Sequence, residues 1–180
     1  MDPIAAWHTD HVYFNQLLRL LQRELDRFHE GGQPNYELMQ DVLRYLTEYS
    51  DRQHHPREDV AFGRLAARCP DIRLELARLR QEHRLIAQAG ASLMKLLQSA
   101  VDGAVLPRAE IEVAAATYLV YYGNHIAKEE EDVLPRAARL LTPEDWEAVR
   151  KAVSPVPDPL FGGAAAEHFR ALRREISREA

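Results

Sequence analysis

Apolar residues recur three and four positions apart along almost the whole chain, and no stretch alternates with a period of two. The pattern predicts helices and no sheet. Helix one opens at Asp2-Pro3, a capping residue followed by proline at the first helical position. Its seam runs Ile4, Trp7, His11, Phe14, Leu18, Leu21, Leu25, Phe28, and Gly31-Gly32 stops it. Helix two is expected from about Asn35 to Arg68, with Leu43, Leu46, Ser50, His54, Glu58, Ala61 and Leu65 inward. Pro56 should kink it. Cys69-Pro70-Asp71 reads as the next turn and cap. Helix three, about Asp71 to Val101, carries Ile72, Leu76, Leu79, His83, Ile86, Gly90, Leu93 and Leu97 on one face.

Helix four is expected from about Pro107 to Leu141, with Ile111, Ala114, Tyr118, Tyr121, His125 and Glu129 inward and a bend at Pro135. Thr142-Pro143-Glu144-Asp145 has the form of a capping box with proline at the first position. It opens a fifth helix to about Ala152. Ser154 to Gly163 is a proline- and glycine-rich linker, and Ala164 to Glu179 a last helix. The expected fold is therefore all-α: an up-down-up-down four-helix bundle over 1–141, with a helical extension over 142–180 packed on or beside it.

Polar residues interrupt the seams at one level. Helices one to four carry His11, His54, His83 and His125 in turn. The midpoint of 11 and 54 falls inside Gly31-Gly32-Gln33-Pro34. That of 54 and 83 falls beside Cys69-Pro70, and that of 83 and 125 beside Gly103. Every helix rises about 1.5 Å per residue, so residues equidistant from a turn share one height. The four imidazoles should form a single layer. Glu58 and Glu129 follow two of them by one helical turn. Such a layer inside a core is costly unless something charged binds there.

Composition narrows the choice of what binds. The net charge of −5 and the lack of a basic cluster argue against nucleic acid. No apolar run approaches the ~20 residues of a membrane span. The N-terminus lacks the basic segment and apolar core of a signal peptide. The single cysteine, Cys69, cannot form an internal disulfide, so a reducing cytoplasm is the expected location. Phosphate loops, paired-cysteine motifs and nucleophile elbows are missing from the sequence. Three histidines have an acidic residue four positions on, where composition alone would give about one. Spacing alone is weak evidence; spacing, seam position and height coincide here. Four imidazoles and two carboxylates suit two divalent ions, with iron, zinc, copper, nickel or manganese as candidates.

The run HHPREDVAF (54–62), Asp10-His11, Glu82-His83-Arg84 and HIAKEEEDVLP (125–135) resembles the hemerythrin-like, or HHE cation-binding, family over residues about 4 to 136. The resemblance implies a non-haem centre of two iron ions, bridged by an oxo or hydroxo group, with zinc or manganese as alternatives. It implies His11, His54, Glu58, His83, His125 and Glu129 as ligands. It also implies proteins that bind oxygen or nitric oxide, store or sense iron, or respond to oxidative stress. Oxygen-carrying members place two histidines one turn apart on helix three. Here the residues flanking His83 by one turn are Leu79 and Ala87. Water, substrate or another side chain must fill that position, and reversible oxygen carriage is not expected.

The leading expectation is a binding or sensing protein for oxygen, nitric oxide or iron. The alternatives are a di-iron enzyme acting on peroxide or ferrous iron, and a helical interaction module with a vestigial site. A homodimer through the extension is a further option. Among the remaining residues, His8 lies one step off the seam. His55 points about 100° from His54 and is expected to be exposed or to bond a carboxylate such as Asp59. Glu130 rivals Glu129 as a ligand. Glu131 and Asp132 read as a solvated face. His29 suits a helix C-terminus. Tyr118, Tyr121 and Tyr122 read as core or as supports of the centre. Cys69 is about 20 Å from the layer by helical rise.

Overall fold

The computed structural model describes residues 3–163 and 165–179. It is helical, with no strand among the described residues. Asp2, the expected first cap, and Ala164, the expected start of the last helix, lie outside the described residues. Two long rods are unbroken, α1 (Pro3–His29) and, after a 3₁₀ turn at Pro70–Ile72, α4 (Arg73–Val101). A second rod consists of α2 (Tyr36–Tyr45), a π-helical stretch (Leu46–His54) and α3 (His55–Arg68). The remaining one consists of α5 (Arg108–Lys128), a π-helical turn (Glu129–Val133) and α6 (Leu134–Leu140). Then come α7 (Pro143–Ala152) and α8 (Arg170–Glu179). α1 packs on α2 and α5, while α4 packs on α2, α3 and α5. The result is a helical bundle.

The π-helical stretches explain what the expected kinks become. Pro56 and Pro135 each sit two residues beyond one. Proline offers no N–H to the carbonyl four residues back, and its ring crowds that carbonyl. A widened turn ahead of it relieves the crowding. The His55 N–H accordingly reaches Ser50 O, and the Leu134 N–H reaches Glu129 O, five residues back in each case.

The turns follow the sequence closely. Gly31 takes φ 90°, which lets its N–H reach Phe28 O while the Gly32 N–H reaches Arg27 O. Thr142 and Asp145 close the expected capping box in both directions. Asp71 does not cap α4; its carboxylate accepts from Cys69 Sγ and Arg136 instead. The inward face of α5 is also corrected. Ala115 and Tyr122 are buried, rather than Ala114 and Tyr121, and Tyr121 is 50% exposed. Gly90 on α4 lets Tyr118 lie against it, since a Cβ there would meet the ring at 3.0 Å.

Two apolar clusters fill the bundle, one on each side of the histidine layer. One is built around Trp7, Phe62, Leu65, Leu76 and Leu134. The larger holds Phe14, Leu21, Leu43, Leu93 and Leu97, and includes Leu160, Phe169 and Leu172 from beyond α7. Asp158 ties that segment down. It accepts from the Tyr45 hydroxyl at 2.7 Å and from the backbone N–H of Leu160 and Phe161. Phe161 stacks on Tyr13 at 3.9 Å. Because this segment shares the bundle's core, truncating its anchor should weaken the whole protein. Phe169→Ala should cost about 3–5 kcal/mol in a single urea-unfolding transition. A variant that unfolds with the wild-type midpoint would show that the extension is only attached loosely.

Candidate metal centre

The layer forms as the turn arithmetic requires. His11 comes from α1, His54 from the end of the π-helical stretch, Glu58 from α3, His83 from α4, His125 from α5 and Glu129 from the second π-helical turn. All six are buried, and His54, Glu58, His125 and Glu129 have no exposed surface. Their inward atoms fall into two sets. His11 Nε2 and His54 Nε2 are 3.0 Å apart, and Glu58 Oε1 lies 3.6 and 3.0 Å from them. Glu129 Oε2 lies 3.4 Å from His11 Nε2. On the other side, Glu58 Oε2 is 3.5 Å from His83 Nε2. Glu129 Oε1 is 3.5 Å from His83 Nε2 and 3.1 Å from His125 Nε2. Each carboxylate thus presents one oxygen to each pair of imidazoles.

Four outer carboxylates fix the orientation of the rings. His11 Nδ1 donates to Glu130 at 2.6 Å, His54 Nδ1 to Asp10 at 2.8 Å, His83 Nδ1 to Asp59 at 2.9 Å and His125 Nδ1 to Glu82 at 3.2 Å. An Nδ1–H engaged in this way leaves the Nε2 lone pair aimed inward, the usual support of a metal-bound imidazole. Lys128 holds Glu82 at 2.7 Å. Of the two rivals, Glu129 lies inside the layer, and Glu130 bonds His11 and His8 from outside.

His55 departs from expectation. It is buried, 4% exposed, and its ring stacks on His83 at 4.2 Å and 8°. The expected partner Asp59 bonds His83 instead. His55 Nε2 lies 3.2 Å from Ser50 Oγ, which shares a hydrogen bond with the Tyr122 hydroxyl. The wide turn ahead of Pro56 brings two successive residues to the core. The only signal for it in the sequence is that proline.

The other candidates stand apart from the layer. His8 is exposed, as is His29, which lies 3.7 Å from Glu112. Asp132 pairs with Arg136 at 2.7 Å. Tyr118 is buried against Gly90. Cys69 packs in the far apolar cluster. His168 lies 3.4 Å from Glu48.

Charge pairing dominates the electrostatics of the layer. Burial pulls His11 down, but Glu130, Glu58 and Glu129 outweigh it and lift the imidazole to about 10. Burial likewise opposes protonation of His83, and Asp59, Glu129 and Glu58 carry it to about 10. Burial pushes Glu58 up, yet His54 and His11 hold it well below the usual carboxylate range. Burial and the neighbouring imidazoles keep His55 neutral. The inward atoms remain short of hydrogen bonds all the same. Both oxygens of Glu58, both of Glu129, and Nε2 of His83 and His125 are buried without one. Nitrogen and oxygen donors left bare in this way, with the acid oxygens split between two sets, fit cations better than protons.

The comparisons with known proteins bear on the same residues. The model of the hemerythrin HHE cation-binding domain matches residues 2–137. The chain belongs to that family. The match spans all six inward ligand candidates and stops before α7, so the segment that carries Leu160 and Phe169 lies outside the matched residues. No match was found among curated proteins or among solved structures. A hemerythrin-like domain implies that metal ions bind, and the cluster of histidines and glutamates supplies the place for them.

The pairing has a sign that can be checked. His11 and His83 are raised from 6.5 to about 10, so the stability they add is full below pH 6.5 and is lost as pH rises toward 10. His55, already neutral, adds nothing to that range. Metal-free protein should therefore melt at progressively lower temperature between pH 6.5 and 9. Metal-loaded protein should not, because ligation needs neutral imidazoles. Thermal melts with and without chelator check this; a metal-free melting point that is flat or rising over that range contradicts it.

Proposed function

We propose that the layer holds two iron ions and that the protein binds or senses a small molecule there, oxygen or nitric oxide in first place. The observation that carries this reading is the division of Glu58 and Glu129, each with one bare oxygen toward His11 and His54 and the other toward His83 and His125. Carboxylates so placed bridge two cations and offset their mutual repulsion. Zinc or manganese would accept the same donors, but mixed imidazole and carboxylate ligation suits iron. Two ions would supply Lewis acidity and one-electron chemistry.

The chain's own residues do the rest. Asp10, Asp59, Glu82 and Glu130 orient the imidazoles, and Phe14, Trp7 and Phe62 wall the layer from water. Surface clefts of ≈ 600 and ≈ 330 Å³ reach Asp10 and Glu82, the outer partners of His54 and His125. The layer itself is buried behind these carboxylates, which favours diatomic ligands or peroxide. The short turns at Gly31, Cys69 and Gly103 support rods that run alternately up and down, the arrangement that brings four histidines to one height. A reducing cytoplasm would keep such a centre ferrous.

Reconstitution with ferrous iron should give about two ions per chain. His83→Ala and His125→Ala should each lose at least one, whereas His29→Ala should keep both. Metal analysis decides; two site variants with full occupancy would refute the assignment. Stopped-flow spectra should show reaction of the ferrous protein with nitric oxide and with oxygen. An adduct that releases oxygen intact under vacuum would contradict the expectation that reversible carriage is absent. Sustained peroxide consumption would instead assign an enzyme.

A further inference from the structure

We propose that His55 is a seventh ligand and gives the ion on the His83–His125 side a third imidazole. This rests on the two-ion reading and adds to it a residue that the HHE spacing does not call for.

The argument starts from the backbone. Successive helical residues point about 100° apart, so a regular helix would turn His55 well away from the inward direction of His54. The π-helical stretch Leu46–His54 changes that, and the two residues are 0% and 4% exposed. A ring nitrogen of His55 and donor atoms of Glu58, His83 and His125 all lie within 4.8 Å of one another. The ring is parallel to His83 and 5.7 Å from that of His125. On α4, the positions one turn from His83 are Leu79 and Ala87, which offer no ligand. α3 therefore brings the imidazole that α4 lacks.

The surroundings of His55 resemble those of the other four histidines in having an acid near Nδ1. Asp51 Oδ1 lies 3.3 Å from its Nδ1, and Asp51 is itself largely buried. All five imidazoles thus have a carboxylate near Nδ1; four hydrogen-bond to it, while Asp51 Oδ1 is buried without a hydrogen bond. For His55 Nε2 the partner is Ser50 Oγ at 3.2 Å, with Tyr122 behind it. With His55 bound, one ion has three imidazoles and the other two. The exchangeable position then lies on the His11–His54 side, behind Asp10 and the cleft it shares with Tyr49 and Arg57.

The test uses the full chain, metal-free and then titrated with ferrous iron. Far-ultraviolet spectra of the metal-free His55→Gln and Ser50→Ala variants confirm folding. Wild type should bind two ions. His55→Gln should bind the first with unchanged affinity and the second at least roughly tenfold more weakly, while Ser50→Ala should stay within a few-fold of wild type. X-ray absorption should count five imidazoles per pair of irons in wild type and four in His55→Gln. Should His55→Gln misfold, the imidazole count of wild type alone decides. Four imidazoles in wild type, a His55→Gln variant that binds both ions as wild type does, or a Ser50→Ala loss as large as that of His55→Gln would each overturn the proposal. Those three outcomes leave the two-ion reading standing. A wild-type chain that takes up fewer than two ions overturns both.

Discussion

Two fully buried carboxylates, Glu58 and Glu129, lie side by side in the middle of the bundle, and none of their oxygens accepts a hydrogen bond. Most of the structure follows from that constraint. Ionised acids in an apolar interior repel each other and lose their hydration, a cost of several kcal/mol per ion unless compensated. Hydrogen bonding does not compensate them here. Cationic imidazoles do so in the metal-free chain, and metal ions would do so with no proton held in the core.

The rest of the architecture delivers that compensation to one level. Apolar clusters above and below exclude water, so the layer sits where electrostatic attraction is strongest. Prolines at 56 and 135 force widened turns next to the layer, on the two rods that carry the glutamates. Outside the imidazoles, Asp10, Asp59, Glu82 and Glu130 form a second ring of acids; the last three are partly exposed, and Asp10 is buried but paired with His54 and Arg57. Charge therefore alternates outward: acid, imidazole, acid. The added segment after α7 reinforces the end of the bundle that the larger apolar cluster fills, through Asp158, Leu160 and Phe169.

Much of this was legible in the sequence because helices impose arithmetic. The distances of His11, His54, His83 and His125 from their turns gave the layer, and one-turn spacing gave Glu58 and Glu129. Thr142 to Asp145 read directly as a cap. What failed were inferences that assumed a uniform helix. His55, about 100° from His54, was expected to be exposed or bonded to a carboxylate such as Asp59, and it is instead buried, with Asp51 beside it. On α5, three alanines and paired tyrosines left two faces nearly equal in polarity, and the hydrogen bond of Tyr122 to Ser50 goes with the face that carries Ala115. Asp10, Asp59 and Glu82 are ordinary surface acids by composition. Only three-dimensional proximity marks them as the groups that aim the rings.

The central claim is that Glu58 and Glu129 are shared between two metal ions. Anomalous diffraction at the iron edge, from crystals of iron-loaded protein, tests it most directly. The account predicts two peaks roughly 3.5–4 Å apart, one between His11 and His54 and the other beside His83 and His125, each within bonding distance of both glutamates. A single peak, or peaks that leave either glutamate unbound, would contradict it.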